Sequence, residues 1–301
     1  MNENFKILIA YDGSECADAA LEDLRLAGFS ENGVEAMTVS VAEVWLPPTN
    51  AETDDVSNFL TESLRKKQEK NLQIFEDTKR MAERAAERVS SMFPRWNVRP
   101  EATYGSPAWE VLARADAFRP DLIVVGSQGL SMLERIWLGS VSQKILTEAK
   151  CSVRVARARS AEKGASPIRL AVAFDGTAGA EKAVDAVAGR HWPAKTEVRL
   201  IIVEDIEVVI EAFSFEQNTS ELEKRGREII DRFEEKGLKA SLRVVEGNPK
   251  DLIVMEAQDF GADSIFAGAT KFSGAVERFL LGSVSSAVTA RAHCSVEVVR
   301  S

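Results

Sequence analysis

Histidine and cysteine are scarce in this chain. Among 301 residues there are two histidines, His191 and His293, and three scattered cysteines, Cys16, Cys151 and Cys294. A structural zinc site needs a cluster of such ligands at short spacing, and no Cys-x-x-Cys is present. An odd, sparse cysteine count also argues against a disulfide framework. The phosphate loop G-x4-G-K-[ST] is missing. No apolar run is long enough to cross a bilayer. The N-terminal segment MNENFKILIAYDG has no basic stretch ahead of its short apolar run, so no signal peptide is expected and the expected location is cytoplasmic. Positive charge is also short. The formal net charge is -9 and both halves are mildly acidic. That balance excludes a basic nucleic-acid module and mainly serves solubility.

What the chain does have is a repeat. Its length suggests two domains of about 150 residues each, and 45% hydrophobic with 28% charged residues is enough for an ordinary core in each. Residues 5–14, FKILIAYDGS, return as 168–177, IRLAVAFDGT. Residues 122–142, LIVVGSQGLSMLERIWLGSVS, return as 264–285, SIFAGATKFSGAVERFLLGSVS. KCSVRV at 150–155 returns as HCSVEV at 293–298. The order of the elements is the same in both halves. The offset is 163 between Asp12 and Asp175 but 142 between Gly126 and Gly268. The first half therefore carries extra residues, placed within 46–75. The expected boundaries are a first domain over 1–158, a small, polar linker over 159–167 and a second domain over 168–301.

Apolar runs at 5–11, 34–42, 97–103, 121–126 and 152–157 read as strands of the first half. Ser14 is positioned to cap a helix whose stripe is Ala17, Ala20, Leu21 and Leu24, ending near Gly28. A long helix is expected over 57–92, a third starting at Pro107, and a fourth after Gly139. The second half predicts strands at 168–174, 197–204, 240–245, 263–267 and 294–299, with helices at 178–190, 219–236, 249–259 and 283–291. Strands alternating with helices, several of them continuously apolar, imply parallel sheets covered on both faces. The expected fold class is α/β, as two repeated doubly wound domains with five-stranded parallel sheets.

Open parallel sheets bind ligands at the carboxyl ends of strands where the order reverses. Asp12 would sit at such an end, with Gly13 permitting a tight turn. Its carboxylate suits a ribose or an adenine amino group, or it only holds the start of the next helix. After the fourth strand come Gly126 and Gly129, then nine residues, then Gly139, Ser140, Val141 and Ser142. Glycines allow main-chain amides to approach an anion, and a helix starting at Ser140 would present free amides and its positive dipole end to phosphate. The hydroxyls of Ser140 and Ser142 are further candidate donors.

The spacing G-x2-G-x9-G-S resembles the nucleotide loop of ATP-binding universal stress proteins. The DGS turn at 12–14, the Gly105-Ser106-Pro107 turn and the CSV final strand fit that family in the same order, twice along the chain. The resemblance implies an adenine-nucleotide α-hydrolase-like fold and ATP, with Mg2+, as ligand. It implies Asp12 near adenine and ribose, the main chain of Val41 against adenine, and Gly126, Gly129, Gly139, Ser140, Val141 and Ser142 around ribose and phosphates. It further implies that last strands pair across a two-fold axis, so 151–156 and 294–299 are expected to join as an intramolecular pseudo-dimer; whole chains could also form a homodimer.

The second half departs from the pattern. Asp175, Val203, Gly268, Gly282 and Ser283 are retained, but Lys271 stands where the second glycine belongs. A lysine there either neutralises phosphate or fills the pocket. The implied role is an ATP-binding regulator of the stress response. The competing reading is a slow ATPase or a self-phosphorylating protein, with Ser131, Ser140 and Ser142 as sites to inspect. The SGG-x-DS and H-x-G-H motifs of catalytic relatives of this fold are missing, and neither a catalytic residue nor a metal ligand is assigned. The acidic segment Thr53-Asp54-Asp55 is a candidate lid or contact site.

Overall fold

The computed structural model describes residues 5–44, 58–127, 138–159, 166–204, 215–271 and 279–300. The strands of the first repeat are β1 (Phe5–Ala10), β2 (Val34–Ala42), β3 (Asn97–Tyr104), β4 (Leu122–Gly126) and β5 (Ser152–Ala156). Its helices are α1 (Glu15–Asp23), α2 (Asn58–Met92), α3 (Pro107–Phe118) and α4 (Ser140–Glu148). The second repeat follows with β6 (Arg169–Ala173), α5 (Ala178–Ala188), β7 (Glu197–Glu204), α6 (Phe215–Glu235), β8 (Lys239–Glu246), α7 (Pro249–Phe260) and β9 (Ser264–Gly268). A two-residue antiparallel pair, β10 (Thr270–Lys271) with β11 (Phe279–Leu280), precedes α8 (Ser283–Arg291) and β12 (Ser295–Val299). The segments 45–57, 128–137 and 160–165 lie outside the described residues; they include Thr53-Asp54-Asp55, Gly129, Ser131 and most of the expected linker.

The strands expected as two five-stranded sheets form one ten-stranded sheet, in the order β3-β2-β1-β4-β5-β12-β9-β6-β7-β8. Within each repeat the strands run parallel. The two repeats meet where β5 and β12 pair antiparallel, with Arg154 opposite Glu297. The intramolecular pairing read from the CSV segments is therefore present, and it makes the second half of the sheet a reversed copy of the first. The carboxyl ends of the first repeat's strands lie along one margin of the sheet. Those of the second lie along the opposite margin.

Local chemistry explains most element limits. Ser14 caps α1 by accepting the Ala17 amide at 3.2 Å. α1 ends at Asp23 and continues only as a 3-10 turn over Leu24–Leu26, short of the expected Gly28. Pro107 and Pro249 open α3 and α7, where a missing N–H is harmless. Helix α6 begins at Phe215, four residues before its expected start. The extra length of the first repeat goes largely into helix: α2 has 35 residues and α6 has 21. At 1.5 Å per residue that difference is about 20 Å of helix.

Period-two burial sorts the core into faces. On one face, α3, α4, α7 and α8 cover a single apolar cluster that runs unbroken through both repeats, including Leu8, Ile123, Val153, Val296 and Ile265. On the other face there are two clusters, one under α1 and α2 and one under α5 and α6. Charge lies between them. Arg154 has no exposed surface, and Asp23 and Glu297 have almost none. The Arg154 guanidinium donates to both Asp23 oxygens, at 2.5 and 3.0 Å, to Ser264 Oγ at 2.7 Å and to Glu297 at 3.4 Å. Arg190 binds Glu297 from the α5 side and donates to the Ala27 carbonyl. Burial works against the Arg154 charge, but the Asp23 and Glu297 carboxylates outweigh it and raise its pKa above the ordinary value.

Arg154 and Glu297 hold the same place in the two repeats, so the pairing brings a position onto its own counterpart with opposite charge. Arg157 and Arg300 keep the symmetry instead. Arg157 donates to the carbonyls of Cys294 and Thr289, and Arg300 to those of Cys151 and Leu146. No helix among the described residues is long and apolar enough to cross a membrane.

Removing one partner of a buried pair leaves an uncompensated charge. Arg154→Met is expected to destabilise the chain by about 3–5 kcal/mol, read as a lower urea midpoint at unchanged slope. Arg88→Met removes the exposed partner of Asp18 and is expected to cost about 1 kcal/mol or less.

Candidate functional site

β1 and β4 are neighbours, although the chain reaches β2 and β3 on one side before returning to β4 and β5 on the other. Their carboxyl ends form the switch point of the first repeat. A cavity of about 310 Å3 opens there, at the lower end of the roughly 300–1,000 Å3 of small-molecule sites. Its wall includes Ala10, Tyr11 and Asp12 after β1, Val39, Val41 and Glu43 from β2 and beyond, Val125 and Gly126 from β4, and Gly139, Val141 and Ser142 at the start of α4. Ser14, Cys16 and Ala17 of the α1 start and Pro107 and Val111 of α3 complete it. Three helix N-termini thus converge on one space.

Most of the expected site residues meet here. Asp12, Val41, Gly126, Gly139, Val141 and Ser142 line the cavity. Ser140 is the exposed first residue of α4, and Gly129 lies outside the described residues. Gly13 has φ +76°, the left-handed conformation that the turn requires. Asp12 Oδ1 accepts the Ser14 amide at 3.0 Å, so the carboxylate braces the turn while remaining exposed at the mouth. The helix cap itself is Ser14, not Asp12.

Two expectations change in their physical basis. A Cβ at Gly126 would lie 2.6 Å from the Cys16 carbonyl oxygen. This glycine is needed because α1 packs directly on the end of β4, a requirement separate from any approach of an anion. The Ser142 side chain is buried, and its hydroxyl donates to the Gly126 carbonyl at 2.7 Å. Its hydrogen is therefore committed to tying α4 to β4 and is not offered to a phosphate. Ser285 makes the same bond to Gly268 in the second repeat, at 2.8 Å.

Helix α4 starts differently from α1. Its N-cap is Gly139, which has no side chain to accept an amide, and the first intrahelical bond runs from the Gln143 amide to the Gly139 carbonyl. Helix geometry leaves the amides of Ser140, Val141 and Ser142 without acceptors in their own helix, and the partial positive end of the dipole lies beside them. On the opposite wall, β1 ends at Ala10, opposite Val39. The Val39 carbonyl accepts the Tyr11 amide at 2.9 Å. By strand alternation the N–H and C=O of Val41 point to that same edge, beyond the last β1 residue. Tyr11 is held by its hydroxyl, which donates to Asp18 at 2.7 Å. Burial first, then this bond, raise the phenol's pKa; the bond is also the main reason that the Asp18 carboxyl lies below its ordinary value.

A family model described as the universal stress protein family matches residues 3–157 and again 169–300. The chain belongs to the universal stress protein family. It is a tandem member, with two repeats in one polypeptide. Among its relatives, universal stress protein YxiE of Bacillus subtilis is 33% identical over 157 residues, covering 50% of this chain and 98% of that protein. A universal stress protein of Methanocaldococcus jannaschii is 31% identical over 155 residues, 50% of this chain and 81% of that one. The crystal structure of a universal stress protein from Archaeoglobus fulgidus superposes with a TM-score of 0.63 at 22% identity, covering 100% of this chain and 99% of that chain. At that identity the match speaks for the fold alone.

The second repeat carries the same framework in a tighter form. Asp175 Oδ1 accepts the Thr177 amide and hydroxyl, and Thr177 caps α5. Gly179 replaces Cys16, and a Cβ on Gly268 would lie 2.1 Å from the Gly179 carbonyl carbon. Val203 is the next-to-last residue of β7, and Gly282 caps α8 ahead of Ser283, as Gly139 does α4. Sequence reasoning missed Tyr11, Cys16, Glu43, Pro107, Val111 and Val125 as wall residues. Their signal was position alone, at strand ends and helix starts around one switch point.

Gly126→Ala and Gly268→Ala are expected to lower stability by about 1–3 kcal/mol each, because the new methyl meets main chain that cannot rotate away. Thermal melts of the two variants check this, with Gly268→Ala expected to be the worse.

Proposed function

We propose that the first repeat binds ATP in the switch-point cavity and that the chain acts as a nucleotide-dependent regulator in the stress response. The observation that carries this reading is the uncapped start of α4, set across one cavity from the open main-chain edge of Val41. The amides of Ser140, Val141 and Ser142 suit phosphate oxygens. The Val41 N–H and C=O form a donor–acceptor pair of the kind that matches adenine N1 and N6. Asp12, exposed at the mouth, would accept from ribose hydroxyls. Among the described residues no group of three or more His, Cys, Asp or Glu could hold a metal ion. Mg2+ would therefore come on the phosphates, where it keeps several of its waters, rather than in a cage of side chains.

Preference for the first repeat is supported by the closer approach of α5 to β9. Cys16 leaves room that Gly179 does not: a Cβ on Gly179 would lie 2.4 Å from the Ala269 carbonyl oxygen. The β10–β11 pair also follows β9 where the first repeat has its G-x2-G segment.

Calorimetric titration of the full-length protein with MgATP is expected to show one site per chain. Loss of a charge-assisted bond in Asp12→Ala, worth about 1.5–3 kcal/mol, is expected to weaken binding roughly ten- to hundredfold. Asp175→Ala is expected to leave it unchanged. No binding at millimolar ATP would overturn the reading, and steady phosphate release lost in Asp12→Ala would favour an ATPase instead.

A further inference from the structure

One cavity-lining carboxylate has no part in the arrangement above. Glu43 follows the last residue of β2 and lies two residues beyond Val41. The Val44 amide donates to the Ala42 carbonyl at 2.8 Å, closing a three-residue turn with Glu43 at its apex. The Gly105 amide donates to the same Ala42 carbonyl at 2.9 Å and anchors the turn to the end of β3. The side chain of Glu43 is exposed, lines the cavity and makes no ion pair among the described residues. It is the second carboxylate on the cavity wall. Asp12 is bound to its own turn through Ser14, whereas Glu43 has its oxygens open.

We infer that Glu43 sets the base preference of this site by accepting the second amino hydrogen of a 6-aminopurine. The inference rests on the nucleotide reading given above and deepens it. With the Val41 main chain against N1 and one amino hydrogen, the other amino hydrogen points away from the Val41 carbonyl, along the strand direction in which Glu43 lies. An ionised carboxylate is an acceptor only. A 6-aminopurine brings it a donor. A 6-oxopurine brings an oxygen lone pair, and the two acceptors repel with no proton between them. The Val41 edge alone discriminates only through neutral bonds. A carboxylate beside it strengthens the discrimination, because bonds to charged groups are about twice as strong as neutral ones. Glutamine in its place retains the size but offers an NH2 donor to a 6-oxo group.

The test is competitive binding of ATP and inosine triphosphate to the full-length protein, wild type and Glu43→Gln, with Asp12→Ala for comparison. The wild type is expected to prefer ATP by at least tenfold. Glu43→Gln is expected to narrow that ratio about five- to tenfold, mainly by improved binding of inosine triphosphate. Asp12→Ala is expected to weaken both ligands alike and leave the ratio intact. An unchanged ratio in Glu43→Gln, or equal weakening of both ligands, overturns the role assigned to Glu43 while ATP binding stands. Failure of the wild type to bind either nucleotide overturns the underlying site as well. Circular dichroism of Glu43→Gln separates loss of fold from loss of preference, and a folded variant is expected because the residue is exposed.

Discussion

The molecule is built around one buried cation. Arg154 sits at the seam of the ten-stranded sheet, where two apolar clusters of that face meet. An arginine without water must have its charge and its donors met together. Here Asp23 from α1, Glu297 from β12 and Ser264 from β9 meet them. Three separate elements of two repeats are thereby fixed to one side chain. A sheet edge such as β5 would otherwise pair with any complementary strand. A second copy of β5 in the same antiparallel register would set arginine against arginine, and a second copy of β12 would set glutamate against glutamate. The seam admits the pairing of unlike repeats, and Arg157 and Arg300 then clamp it from both sides.

The same seam determines where ligand chemistry is available. Because each repeat keeps its own parallel order, each has a switch point, and each switch point gathers helix starts. What differs is how far those starts are from the strands. In the first repeat Cys16 and the end of β4 meet at Gly126 with the cavity still open above them. In the second, Gly179 and Gly268 bring helix and strand together more closely. The first turn of α1 carries a side chain at Cys16 where α5 has only the hydrogen of Gly179, and a Cβ at Gly268 would meet α5 at 2.1 Å where one at Gly126 would meet α1 at 2.6 Å.

The architecture was largely legible before any coordinates. Strand β2 over 34–42, strand β7 over 197–204 and helix α8 over 283–291 have the expected limits. Their signals are local: apolar-rich runs in the two strands and a glycine just ahead of β2 and of α8. The crevice was legible through Asp12, Gly126 and Gly139, because motif spacing reports on strand ends and helix starts. The reasons attached to two residues were not. Gly126 and Ser142 act in packing, and nothing in a one-dimensional spacing separates a glycine that admits a ligand from one that admits a helix. The role of Arg154 was hidden for a related reason. An arginine between two valines reads as the solvent-facing residue of a strand until the partner strand and α1 are placed against it. Element ends moved where competing caps lie close together, as at α1, whose last turn tightens before Gly28.

The reversal at the seam has a consequence for communication. The two crevices face away from one another, at opposite margins of a single sheet, so occupants of the two never meet and no single flat surface can cover both mouths. Any influence between them must cross the seam, through the strands and the Arg154 junction on one face and through the continuous apolar cluster on the other. A tandem chain built this way presents its two mouths back to back, and the wall of one contributes nothing to the other.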